Sequence, residues 1–161
     1  MKSFSCRLAL ALSLAGILAL VVYWRATGNQ TTLISLKPDN TFLVEAGHAI
    51  YAAKCASCHG GRLQGQTSNW RERDAQGYLP APPHDATGHT WHHSDQLLFE
   101  ITKYGSSKSA GLEMKSRMPA YQGLLTDREI IAVLSFIKSR WPEDVRNRHD
   151  QLNTRQIRQS D

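Results

Sequence analysis

Five consecutive residues, Cys55-Ala56-Ser57-Cys58-His59, carry the most specific chemistry in the chain. Two thiols separated by two residues and followed at once by an imidazole are the attachment sequence of c-type haem. The spacing has a chemical reason: each thiol adds to one vinyl group of the same porphyrin, so both sulfurs must reach one edge of one ring, while the adjacent imidazole swings beneath the iron as a ligand. Other chemistries use the same residue types. A thioredoxin-like redox pair needs a βαβ context, a structural zinc site needs two or more further ligands at metal spacing, and a plain disulfide needs nothing more than the two thiols. The surrounding pattern of helix and loop favours one haem held through Cys55 and Cys58, with His59 on its iron.

An iron bound on one face by His59 has either an open distal position or a second protein ligand. Met118 is the candidate for that second ligand. It precedes Pro119, which disfavours helix at Met118 and keeps the side chain on an extended segment able to reach across a haem. Gap-filling in a core is the ordinary role of a Met, and Met114 lacks the Pro. Four further imidazoles, His84, His89, His92 and His93, lie in one stretch. They read as polar loop residues flanking a haem edge or capping the next helix. The sharper alternative is a copper or other metal site, or a His that replaces Met118 on the iron. His48, beside Glu45, reads as solvated, and His149 falls in a polar tail.

The elements that must position these groups are legible as periodicities. Between Phe42 and Ala53, Leu43, Ala46, Ala49, Ile50 and Ala53 recur at helical steps, and this helix runs straight into Cys55. Residues 60–91 are punctuated by Gly60-Gly61, Gly65, Gly77, Pro80, Pro82-Pro83 and Gly88, a long loop that needs something to organise it. Ser94 is placed to cap a short helix with Leu97, Leu98, Ile101 and Tyr104 on its apolar face, ended by Gly105. Thr126 and Glu129 fit a capping box. The helix after them carries Ile130, Val133, Leu134, Ile137 and Trp141 on one stripe and stops at Pro142. Residues 142–161 are mostly charged or amide, which reads as a frayed helix or disordered tail.

At the other end, residues 8–24 read LALALSLAGILALVVYW, without charge or Pro, between Arg7 and Arg25. The run is long enough to enter a membrane, with Tyr23 and Trp24 at the interface. The bulky residues at its exit fit an uncleaved anchor better than a cleaved signal peptide. Cys6 precedes the run, where a lipoprotein signal would place its Cys after it. Positive residues before the helix favour a cytoplasmic N-terminus and a periplasmic remainder. The expected organisation is an anchor or signal over 1–25, a tether over 26–41, a haem domain over 42–141 and a charged tail over 142–161.

The chain has 161 residues, three Cys and 19 Lys+Arg against 14 Asp+Glu. That length excludes a multidomain enzyme, and three Cys exclude a disulfide scaffold. The excess of positive charge is not a nucleic-acid signal: residues 40–139 hold ten basic and nine acidic side chains, and no basic-aromatic motif accompanies them.

Residues 42–141 resemble a class I monohaem cytochrome c. The resemblance rests on the helix with Gly47 and Tyr51 running into CASCHG, on Met118-Pro119-Ala120-Tyr121, and on the closing helix LTDREIIAVLSFIKSRWP. Within that class the chain is most similar to bacterial membrane-anchored or periplasmic forms with a segment like Leu79-Pro-Ala-Pro-Pro-His and Gly88-His-Thr-Trp-His-His93. It implies an all-α fold of three to four helices and long loops around one covalently bound haem c, with His59 and Met118 as axial ligands. It also implies that a Pro carbonyl fixes the proximal imidazole, with Pro80, Pro82 and Pro83 as candidates. Tyr51 and Tyr121 are expected beside the haem, and Trp70, Arg71 and Arg73 near its propionates.

With both axial positions filled, the iron can only change charge, so the expected function is one-electron transfer between redox partner proteins, on the outer side of a bacterial cytoplasmic membrane. The haem domain is expected to be monomeric. The alternatives are a haem sensor or enzyme subunit with a labile distal ligand, and a copper accessory protein using His84 to His93.

Overall fold

Asn40 opens the first helix, α1 (Thr41–Lys54), by accepting the N–H of Leu43 at 3.0 Å, a donor with no partner inside the helix. The computed structural model describes residues 33–106 and 115–160, and the regular elements among them are all helical. After α1 come a single turn, α2 (Ala56–His59), a 3-10 turn (Thr90–His92), α3 (Asp95–Tyr104), α4 (Asp127–Ser139) and α5 (Glu143–Ser160). The apolar run 8–24, Cys6 and Met114 lie outside the described residues. Among the described residues no helix is long and apolar enough to cross a membrane.

The crossing of α1 and α4 is the centre of the fold. It is made possible by Gly47, where an added Cβ would overlap the carbonyl of Ala132. Burial on α1 therefore centres on Gly47 and Tyr51, while Ala46, Ala49 and Ala53, expected on the packed face, are exposed. The close approach replaces side-chain interdigitation at that point, so the apolar spacing of the alanines misplaces the face.

On α3 the cap and the stop are where the sequence puts them. Ser94 accepts from Leu97 N–H, and Gly105 ends the helix with φ of 88°. The buried face is rotated from the expected one: it holds Asp95, Leu98, Phe99 and Thr102, and Tyr104 is 38% exposed. Thr102 can sit in the core because its hydroxyl donates to Leu98 O at 2.8 Å. On α4 the Thr126–Glu129 capping box forms and Ile130, Val133, Leu134 and Ile137 are all buried, as expected; the helix ends at Ser139, and Trp141, just beyond it, is buried as well. Ser135 and Lys138 are buried on the same helix.

Both ends of the haem domain extend further than the sequence indicates. Residues 34–161 form one compact unit. Leu36, placed in a tether by composition, is 5% exposed, its N–H donates to Asp95 Oδ2 at 2.8 Å, and the next N–H donates to Ser135 Oγ. The expected polar tail is instead α5, packed through Val145 and through His149, which is fully buried. His149 Nε2 lies 2.9 Å from His93 O, Asn153 bridges to both Asp95 and its backbone N–H, and Lys138 Nζ pairs with Asp150 at 2.6 Å. This helix is anchored by polar groups, and polar anchors carry no hydrophobic periodicity.

Candidate haem-binding site

The last turn of α1 and the first of α2 share Cys55. Its N–H bonds Tyr51 O, and its carbonyl accepts both Cys58 N–H at 3.1 Å and His59 N–H at 2.9 Å. That turn places the two sulfurs three residues apart on one side of the helix, as two attachments to one ring edge require. Both are free thiols, Cys55 half-buried and Cys58 exposed. Burial pushes the Cys55 thiol up to about 11, with the nearby Tyr121 hydroxyl opposing it.

His59 is buried, and its Nδ1 lies 2.9 Å from Pro82 O. A carbonyl only accepts, so Nδ1 carries the hydrogen and Nε2 keeps its lone pair for a metal. Burial also holds this imidazole below its ordinary range, which keeps the ring neutral. Pro82 is thus the carbonyl that meets the ring, and neither Pro80 nor Pro83 takes that place. Pro83 is itself buried, and its carbonyl receives the Thr90 hydroxyl at 3.4 Å.

The ring of His84 stacks on His59 with centroids 3.9 Å apart and planes 21° apart. His84 is fixed from three sides. Its N–H reaches Leu63 O at 2.7 Å, its Nδ1 lies 2.8 Å from Thr90 Oγ1, and its carbonyl accepts the Trp141 indole N–H at 2.7 Å. This contact with His59 is absent from the sequence reading, which places His84 at a haem edge.

Tyr51 is buried with its hydroxyl donating to Gly60 O at 2.9 Å, across the CASCH turn. Tyr121 is buried too, and its hydroxyl donates to Lys54 O at 2.7 Å and reaches the Cys55 thiol. Burial raises this phenol to about 12. Tyr121 N–H bonds Thr102 O at 3.1 Å, so the segment is tied to α3 as well. Met118 stands three residues before Tyr121, half-buried on an irregular extended stretch. Three residues of extended chain span at most about 11 Å, which brings Met118 into the neighbourhood of the haem-attachment turn.

The remaining candidates form a second cluster. Trp70 is buried with the His89 ring stacked on it at 4.9 Å and 8°, and the Arg71 guanidinium lies 4.0 Å from the indole centroid. Arg73 instead donates to Gly77 O at 2.8 Å within its own loop. His89 and His93 meet edge to face, and His92 stacks on Trp91. The four imidazoles engage neighbours in pairs, and among the described residues no three His, Cys, Asp or Glu side chains converge on a metal-sized site. His48 is exposed on α1 beside the Phe136 ring.

Two free thiols one turn apart and a neutral imidazole with Nε2 in reserve make a donor set fit for a covalently attached haem. The family model for cytochrome c matches residues 44–141. The chain belongs to the cytochrome c family. It carries haem c on the CASCH motif that holds Cys55 and Cys58, and its chemistry is haem-based electron transfer. Domains of this family are usually extracytoplasmic. Comparison with curated proteins and with solved structures gave no match. The helix α5 lies wholly beyond the residues that match the family.

Proposed function

We propose that this cytochrome is a one-electron carrier whose iron is held between His59 and Met118, and that it is not an enzyme in its own right. The observation that carries the reading is the pair of tethers on the two ligand segments: Pro82 O on His59 Nδ1, and the Lys54 carbonyl on the hydroxyl of Tyr121. Haem c, when bound, supplies the Fe(III)/Fe(II) couple and takes up or gives out one electron. Cys55 and Cys58 retain the ring as thioethers. His59 offers Nε2 in a fixed orientation, and Met118 offers a neutral thioether that favours the ferrous state. Tyr51, Pro82, Pro83 and Tyr121 wall the site against water, and Trp70 with Arg71 stands for the propionates.

The place of action is the outer side of a bacterial cytoplasmic membrane, to which residues 8–24 tether a monomeric haem domain. Partners are redox proteins that dock by a local patch with modest salt dependence, because the domain's charges nearly balance, and nucleic acid is not among them. The test is the absorption spectrum of protein made with cytochrome c maturation machinery. A low-spin c-type spectrum with the weak far-red ferric band of Met ligation, and carbon monoxide binding that is slow beside that of Met118→Ala, is the expected result. In Met118→Ala the band is lost, the potential falls and the iron opens to carbon monoxide. A protein with covalent haem but no far-red band is not a Met118-ligated carrier.

A further inference from the structure

The segment that carries Met118 is gripped from outside by a loop that has no part in haem attachment. Asp74 folds residues 74–78 on themselves. Its Oδ1 accepts Gln76 N–H at 3.0 Å and Tyr78 N–H at 2.8 Å, its own N–H donates to Tyr78 O, and Gly77 closes the turn at φ of 83°. That leaves Oδ2 pointing out of a rigid turn. Arg117 donates to it at 2.6 Å, and the same guanidinium lies 4.1 Å from the centroid of Tyr78. Lys115, two residues earlier, donates to Gln76 O at 3.2 Å.

Side chains of an extended segment alternate. Lys115 and Arg117 face the 74–78 turn, so Ser116 and Met118 take the other side. Ser116 shows this: its Oγ lies 2.6 Å from Ser106 Oγ, beyond the end of α3, and accepts Met118 N–H at 3.0 Å. An isolated exposed ion pair holds little. Here the carboxylate is preset by its turn, and the guanidinium is held on two surfaces at once, an anion and an aromatic face.

We infer that Asp74, Tyr78 and Arg117 form a clamp that positions Met118, so that the strength of this exposed contact sets how readily the methionine leaves the iron. The inference rests on Met118 being the axial ligand. Asp74 and Arg117 are positioning residues, acting on the iron only through the next residue in the chain. The Arg117 side chain is 58% exposed, so salt reaches the pair and weakens it.

The experiment uses the full-length haem-loaded protein and four variants: Asp74→Asn, which keeps the turn's acceptor and removes the charge, Arg117→Gln, Arg117→Lys and Met118→Ala. The readouts are the ferric far-red band and the rate of carbon monoxide binding to the ferrous protein. Asp74→Asn and Arg117→Gln weaken the band and bind carbon monoxide about three- to fivefold faster than wild type, the response to losing one well-held exposed ionic contact. Arg117→Lys keeps the charge but not the flat stack and falls between. About 0.5 M NaCl moves the wild type towards the Arg117→Gln rate and leaves that variant unchanged. If Met118→Ala abolishes the band while Asp74→Asn and Arg117→Gln keep both the band and the wild-type rate, the clamp is wrong and the ligand stands. If the wild type has no band, or Met118→Ala keeps it, the ligand is wrong and the clamp falls with it.

Discussion

Trp141 shows what a single residue does that its sequence position does not announce. By spacing it is the last apolar position of the α4 stripe, and it is 3% exposed. Its indole N–H, however, is given to His84 O, 57 residues away in the chain, and that carbonyl belongs to the residue stacked on His59. Trp141→Phe keeps an aromatic body and leaves a half-buried carbonyl without its donor, at a cost of about 2 kcal/mol. Urea unfolding of the haem-loaded protein measures it, and a change below about 0.5 kcal/mol would show that water replaces the indole without loss. The chemistry of the site was legible at this scale wherever it is local: CASCH, the Ser94 cap and the Thr126–Glu129 box each satisfy themselves within five residues. The proline acceptor was legible only as a choice among three, because which carbonyl meets Nδ1 is decided by how the 60–83 loop returns to α2. The stack of His84 on His59 was not legible at all, being a contact across 25 residues of irregular chain.

Elements meet where backbone permits, and the α1–α4 crossing depends on one hydrogen. At Gly47 a methyl group would collide with the Ala132 carbonyl and press on Phe136 Cβ, with no flexible side-chain end to yield. Gly47→Ala is expected to destabilise the haem-loaded protein by about 3 kcal/mol, the upper end for overpacking, because the obstacle is backbone. Gly61→Ala, where an added Cβ meets nothing within 4 Å, is the matched control and stays within about 0.5 kcal/mol of wild type. Equal urea midpoints for the two variants would mean that the helices part at little cost. The helices themselves were legible, their starts and stops above all, since caps and breakers act locally. Their packed faces were read less well. On α1 the alanines share the helical spacing but the contact centres on Gly47, and on α3 a buried Thr102 and Asp95 satisfy their polar groups inside the fold, which no count of apolar residues reveals.

For the molecule as a whole, α5 and the strap at residues 34–40 close one side of the domain over a buried polar knot. His149 lies at its centre, facing Asp95 of α3, Lys138 of α4 and the Trp141 ring just after it, His93 O from the residue after the 3-10 turn, and Asp150 and Asn153 of its own helix. Burial, with the Lys138 ammonium second, holds this imidazole below its ordinary 6.5, against the opposing pull of Asp95. The unfolded chain therefore takes up a proton near pH 6.5 while the folded one does not. The stability contributed by a neutral His149 is complete above about pH 6.5 and is lost as pH falls through the lower folded value, with a slope of at most about 1.4 kcal/mol per pH unit. His89 and His93, also lowered by burial, add to the same trend. His149→Gln separates the contributions: its amide can still donate to His93 O but takes up no proton. The difference in urea stability between wild type and His149→Gln should shrink steadily from pH 7 to pH 5, because only the wild type loses the His149 contribution on acidification. A difference that stays constant over that range would mean that His149 titrates alike in the folded and unfolded chain, and that the knot fastens α5 by shape and hydrogen bonds alone.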